Sequence, residues 1–167
     1  MKFSNAELNK IREDKVFVKT VNNSKYWIKP LFEHKSYPLA NVKEHKKYFQ
    51  ALKKYLGKHI PETKFIKLDK ITLIVQKNIE GRRLKTLREI KELMNLKQNR
   101  SFRNGIKRLL EDKEWVIDLY IYKENFIATK NKTLFYIDGR MPIFPDPKED
   151  RYKISKKRTL RLLRQTE

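Results

Sequence analysis

The chain has 167 residues, with 41 Lys+Arg against 20 Asp+Glu, a formal charge of +21 and a pI near 10.1. That balance favours an anionic partner, whether nucleic acid, nucleotide, phosphorylated glycan or acidic membrane face. The absence of cysteine excludes a disulfide scaffold, a thiol nucleophile and a thiolate metal site, while 39% hydrophobic and 11% aromatic residues are enough to bury the core of a compact domain.

No run approaches the roughly 18 apolar residues of a transmembrane helix. Ser4, Asn5, Glu7 and Asn9 interrupt the apolar stretch that a signal peptide requires, so a cytoplasmic protein is expected. Residues 5–14 read as a helix. Two β-rich runs, 15–21 and 25–30, flank Asn22-Asn23-Ser24 and predict a hairpin. Past Pro38, the residues Val42, Phe49, Leu52 and Leu56 share one helical stripe that Gly57 closes. Strands are expected at 64–68 and 71–76 around an Asp69-Lys70 turn. Helices follow at 84–96 and 101–113, the second carrying Phe102, Ile106, Leu109 and Leu110 at helical spacing. Extended segments are expected at 115–121 and 125–129, then a buried strand at 134–137 behind an Asn131-Lys132 turn. Pro142, Pro145 and Pro147 mark a rigid segment, and the tail from Ile154 is basic and partly amphipathic. The order is α+β: a small antiparallel sheet with one helix, then a mainly helical part.

Several motifs in this order resemble the protein-kinase-like superfamily, and within it the small bacterial lipopolysaccharide-core sugar kinases. Tyr26-Trp27-Ile28-Lys29 is similar to the strand that presents a lysine to the ATP phosphates. Glu44 is placed like the helix residue that holds such a lysine. Val75-Gln76-Lys77-Asn78-Ile79-Glu80-Gly81 with Leu84 resembles the strand, hinge and entry to the next helix. Asp118, Asn125 and Ile137-Asp138-Gly139 resemble the catalytic loop and the metal-binding Asp-x-Gly turn. In the family the Asn and the metal Asp are about thirteen residues apart at the two ends of a hairpin, and Asn125 and Asp138 match that register.

The resemblance implies a minimal protein-kinase-like fold. It comprises an N-lobe-like sheet plus helix over 1–80, a reduced C-lobe-like part over 81–147 and a basic tail over 148–167. It also implies an ATP and Mg²⁺-dependent phosphotransferase acting on a sugar or glycan hydroxyl, with Asp118 as base and Lys29 on the phosphates. Glu44 would position Lys29, backbone of Gln76, Lys77 and Asn78 would meet the adenine, and Asn125 and Asp138 would hold the metal. The acceptor would be anionic, such as a glycolipid at the inner face of a membrane to which the protein is peripheral. The family pattern is not complete. The chain has four glycines and no Gly-rich loop before Lys29, Val116-Ile117 stands in place of the usual histidine pair, and the Asp118 to Asn125 interval is longer than H-R-D-x-x-x-x-N. Two alternatives therefore stay open: a catalytically impaired pseudokinase or adaptor, and a basic nucleic-acid-binding protein whose tail, with Lys153, Lys156, Lys157, Arg158, Arg161 and Arg164, contacts phosphates. His34, His45 and His59 lack metal-ligand spacing and read as surface or packing residues.

Overall fold

Two consecutive asparagines, Asn22 (φ 47°) and Asn23 (φ 60°), reverse the chain in its first hairpin. Asparagine tolerates left-handed backbone, and two such residues in succession make the turn whose twist matches that of the flanking strands. β1 (Phe17–Val21) and β2 (Ser24–Leu31) consequently pair from Val21 opposite Ser24 out to Phe17 opposite Ile28. The computed structural model describes residues 1–31, 42–112, 125–137 and 150–164. The chain divides into two compact units, Met1–Lys46 with Pro61–Asn78, and Lys47–Ile60 with Ile79–Glu167.

In the first unit, β3 (Thr63–Leu68) and β4 (Ile71–Lys77) form a second hairpin, turned by Asp69 at φ 52°. The sheet order is β1-β2-β4-β3, all antiparallel. Strand alternation gives it two different faces. One carries Phe17, Ile28, Leu73 and Val75, and α1 (Asn5–Arg12) adds Ile11 to that cluster. Ser4 caps α1 in a reciprocal box with Glu7, and Lys19 on β1 donates to both Glu7 carboxylate oxygens at 2.8 and 2.6 Å. The opposite face carries Trp27, Lys29, Phe65, Ile74 and Gln76, by their cross-strand pairing. Near the start of α2 (Val42–Leu56), the Lys46 ammonium stands 5.9 Å from the ring centre of Phe65 on this face.

The second unit takes the rest of α2, which Gly57 ends at φ 53°, and a three-stranded sheet in the order β5-β6-β7. The strands are β5 (Arg82–Arg83), β6 (Phe126–Ala128) and β7 (Leu134–Tyr136). α3 (Leu87–Met94), α4 (Arg100–Glu111) and α5 (Asp150–Arg164) complete it. Its core joins Tyr48, Leu52, Phe102, Ile106, Phe126 and Leu134 with Leu162 and Leu163 of α5. The helix expected from Leu84 starts later, because Leu84 N–H donates to Phe126 C=O at 2.9 Å as part of the sheet edge. Thr86 and Glu89 then form the capping box that starts α3. The basic tail is also more than a solvated appendage, since α5 buries Ser155, Thr159, Leu162 and Leu163. Asp118, Asp138, His34, the expected extended segment 115–121 and the prolines of 142–147 lie outside the described residues.

Two polar side chains tie these pieces together. His59, fully buried, has Nδ1 2.8 Å from Leu134 C=O and Nε2 2.8 Å from Ser101 Oγ. A carbonyl can only accept, so Nδ1 carries the proton and Nε2 accepts from the serine hydroxyl. Asn99 donates to Leu93 C=O at 2.8 Å and Lys132 C=O at 2.9 Å, and accepts from Leu134 N–H at 2.9 Å. Gly105 permits a close approach of α4 to α2, because a Cβ there would collide with the Tyr55 carbonyl oxygen.

Gly105→Ala is expected to destabilise by about 1–3 kcal/mol in urea unfolding, despite alanine's higher helix propensity; an unchanged or raised midpoint would refute the close contact. Burial pushes His59 below its ordinary value of 6.5. The unfolded chain therefore binds a proton that the folded chain excludes, and stability is held above pH 6.5 and falls as pH drops below it. Unfolding midpoints at pH 7 and pH 5.5 should diverge in the native chain and less in His59→Gln; an equal fall in both would assign the effect to other groups.

Candidate functional site

Lys29 is the only lysine of β2 beyond its first turn-proximal position, and alternation directs it to the face that carries Trp27, Phe65 and Gln76. Ile28 and Pro30, its neighbours, point the other way and are buried. The half-buried Lys29 ammonium donates to Gln76 Oε1 at 3.1 Å. Gln76 is 1% exposed, and its Nε2 is buried without a hydrogen-bond partner. An unmet amide of this kind costs about 1–3 kcal/mol, and a water, an ion or a ligand oxygen can supply the missing acceptor. A cation beside an unmet N–H₂ donor is a pairing suited to an anionic oxygen.

Glu44 lies half-buried in the first turn of α2, in the same unit as Lys29. The three residues expected to meet an adenine end the same sheet. Lys77 N–H donates to Glu62 C=O and Asn78 N–H to Lys25 C=O, both at 2.8 Å. Trp27 Nε1–H closes the corner by donating to Asn78 Oδ1 at 2.8 Å. These N–H groups are therefore engaged within the sheet. Gln76 contributes its side chain to the Lys29 contact.

In the second unit, β6 and β7 pair from Phe126 opposite Tyr136 to Ala128 opposite Leu134. The expected turn is present, with Lys132 N–H donating to Thr129 C=O at 2.8 Å and Lys132 at φ 57°. At the open end, Ile137 N–H donates to Asn125 C=O at 2.8 Å. Asn125 and the residue that precedes Asp138 are thus held side by side.

The same unit holds an open depression of about 620 Å³ between α3 and this hairpin, lined by Arg82, Glu89, Glu92, Lys130 and Lys132 around Leu93. Arg82 pairs with Glu89 there. The guanidinium, with the Lys85 and Thr86 N–H groups at 2.9 and 3.0 Å, holds the Glu89 carboxyl down to about 2. This carboxylate is committed to capping α3 and is not available as a proton carrier near neutrality.

Among the described residues, no cluster of three or more His, Asp or Glu could hold a metal, and no helix is long and apolar enough to cross a membrane. No protein-family model matches the chain, and no characterised protein matches it in sequence.

Sequence reasoning assigned Gln76 a backbone role and missed its side chain. The available signal was a long polar amide at the end of the otherwise apolar Ile71-Thr72-Leu73-Ile74-Val75 run. Lys29→Met should leave both Gln76 amide atoms unmet and lower stability by about 1–3 kcal/mol; a double-mutant cycle with Gln76→Leu should recover part of that loss, and strict additivity would mean the two side chains do not interact.

Proposed function

We propose that this chain is a reduced kinase-like phosphotransferase that binds ATP with Mg²⁺ and phosphorylates a hydroxyl of an anionic sugar or glycan, of the lipopolysaccharide-core type. The observation that carries this reading is the Lys29 ammonium against the buried Gln76 amide, a preformed donor pair with one donor still idle. In this reading Lys29 is the phosphate-binding lysine of its strand, and Glu44 on the following helix is its supporting carboxylate. The clasp between Asn125 C=O and Ile137 N–H supports the second half of the reading. It fits the donor set as well, since an amide oxygen and the carboxylate of the next residue along, Asp138, are hard oxygen ligands.

In this reading the acceptor hydroxyl oxygen bonds to the γ-phosphorus as the bond from that phosphorus to the β–γ bridging oxygen breaks. ADP leaves with the electron pair, and the hydroxyl proton passes to the Asp118 carboxylate. Lys29 offsets the charge on the phosphate oxygens, and Glu44 positions Lys29. Asn125 and Asp138 would hold Mg²⁺, which neutralises phosphate charge. Barrier lowering comes from position and charge, with little covalent work by the protein.

One feature favours a second reading, a pseudokinase that binds nucleotide without transferring it. The connection into β2 is the two-residue Asn22-Asn23 turn, too short to wrap phosphates with backbone N–H groups as a Gly-rich loop does.

Thermal unfolding with ATP, with and without Mg²⁺, tests the binding step. At a hundredfold excess over Kd the stabilisation should approach about 2.7 kcal/mol, a shift of several degrees. It should vanish in Lys29→Met and require the metal, and Asp138→Ala should respond no better with Mg²⁺ than without. Transfer from γ-labelled ATP to a lipopolysaccharide-core acceptor should fall by roughly 10²–10³ in Lys29→Met. No shift with ATP–Mg²⁺ would refute both readings, whereas a shift without transfer to any glycan acceptor would select the second.

A further inference from the structure

α5 has two unlike halves. Ser155, Thr159, Leu162 and Leu163 are buried, and the two leucines belong to the core of the second unit. Lys153, Ile154, Lys157, Arg158, Arg161 and Arg164 are exposed. At about 100° per residue these six positions fall within roughly 140° of the helix circumference and extend over roughly 17 Å of its axis. No acidic and no aromatic residue occurs between Lys153 and Arg164. Ile154, 48% exposed, stands among the cations.

We propose that this face of α5 docks flat on an anionic lipid bilayer, with its basic groups at the headgroup phosphates and Ile154 entering the boundary with the acyl chains. Five exposed cations on one arc lie within the range by which polybasic segments bind acidic leaflets. A helix whose opposite half is committed to a protein core suits a plane, since it can lie on the surface without leaving its packing. Nucleic acid fits less well. Entry into a major groove about 8.5 Å deep needs a helix that projects from its domain, and single strands are held by aromatic platforms that this face lacks. Docking needs no nucleotide, so it stands or falls separately from phosphoryl transfer, though it would bring a glycolipid acceptor to the protein.

The test is sedimentation of the full chain with phosphatidylcholine vesicles containing about 30% phosphatidylglycerol, against pure phosphatidylcholine. Binding should occur only to the acidic vesicles and weaken with salt. Lys157, Arg161 and Arg164 contribute about five-fold each, so K157Q/R161Q/R164Q should lose at least about 100-fold. A charge-matched control at exposed Lys2, Lys67 and Lys70, K2Q/K67Q/K70Q, should lose much less. The same melting curve for both variants establishes that the losses are not unfolding; if the α5 triple variant unfolds, the single variants serve, each expected to lose about five-fold. Equal losses in the two triple variants would show that net charge alone drives association and overturn the proposal. So would failure to bind acidic vesicles, or tighter binding to a 20-base-pair duplex that the α5 substitutions abolish.

Discussion

A lysine can be held half-buried against a fully buried amide only if every strand around it is in register. Lys29 stands on β2 opposite Ile74 of β4, and Gln76 stands two positions along β4 on the same face. A slip of one residue would carry Lys29 to the α1 side, among Ile11, Phe17 and Val75, where a charged group would have no compensation. The register is set locally by the Asn22-Asn23 turn and by Asp69 at positive φ. The apolar residues of the α1 face then enforce it globally. The sheet's hydrophobic side is in this sense what aims its polar side.

The second unit solves a similar problem with polar clamps. Its short β6–β7 hairpin has three residues per strand, too few to be stable alone. Asn99 bonds to backbone at both Lys132 and Leu134 of the hairpin side, and His59 holds the Leu134 carbonyl. These contacts fix the hairpin against α3, α4 and the end of α2, and the Ile137 N–H to Asn125 C=O bond then fixes its open end. Buried polar groups that are fully met in this way rigidify a core and specify a single arrangement of it.

The excess of positive charge is distributed unevenly. Lys19 and Arg88 are taken up by Glu7 and Glu92, and Lys46 and Lys54 lie over aromatic rings. Within the first sheet, the Lys29 ammonium meets the buried Gln76 amide. α5 concentrates five exposed cations on one arc. The charge of +21 is thus compatible with a small polar site on one unit and a broad cationic face on the other, and these differ in the ligand each could hold.

Much of this was legible from local chemistry. Asn22-Asn23 and Asp69-Lys70 mark their turns because few residues accept left-handed backbone, whereas at Asn131-Lys132 it is the lysine that adopts it; the stripes of α2 and α4 follow from helical period. Lys29, Glu44 and Asn125 are singled out through the resemblance of their motifs to the kinase-like pattern, not by local backbone chemistry. Leu84 could not be placed: its apolar spacing continues into α3, and only the bond to Phe126, 42 positions away, makes it a strand neighbour. The Gln76 side chain and the buried half of α5 were equally hidden, because what they meet is brought from distant segments. The sequence by itself determined turns, periodic elements and the alternation that puts Lys29 and Ile28 on opposite faces, since these depend on backbone preferences a few residues long. Only the tertiary structure decided that Gln76 answers Lys29, that His59 and Asn99 hold a hairpin, and that α5 hides its leucines while leaving its cations outside. Those outcomes depend on which surfaces pack together, and burial is a property of the assembled chain.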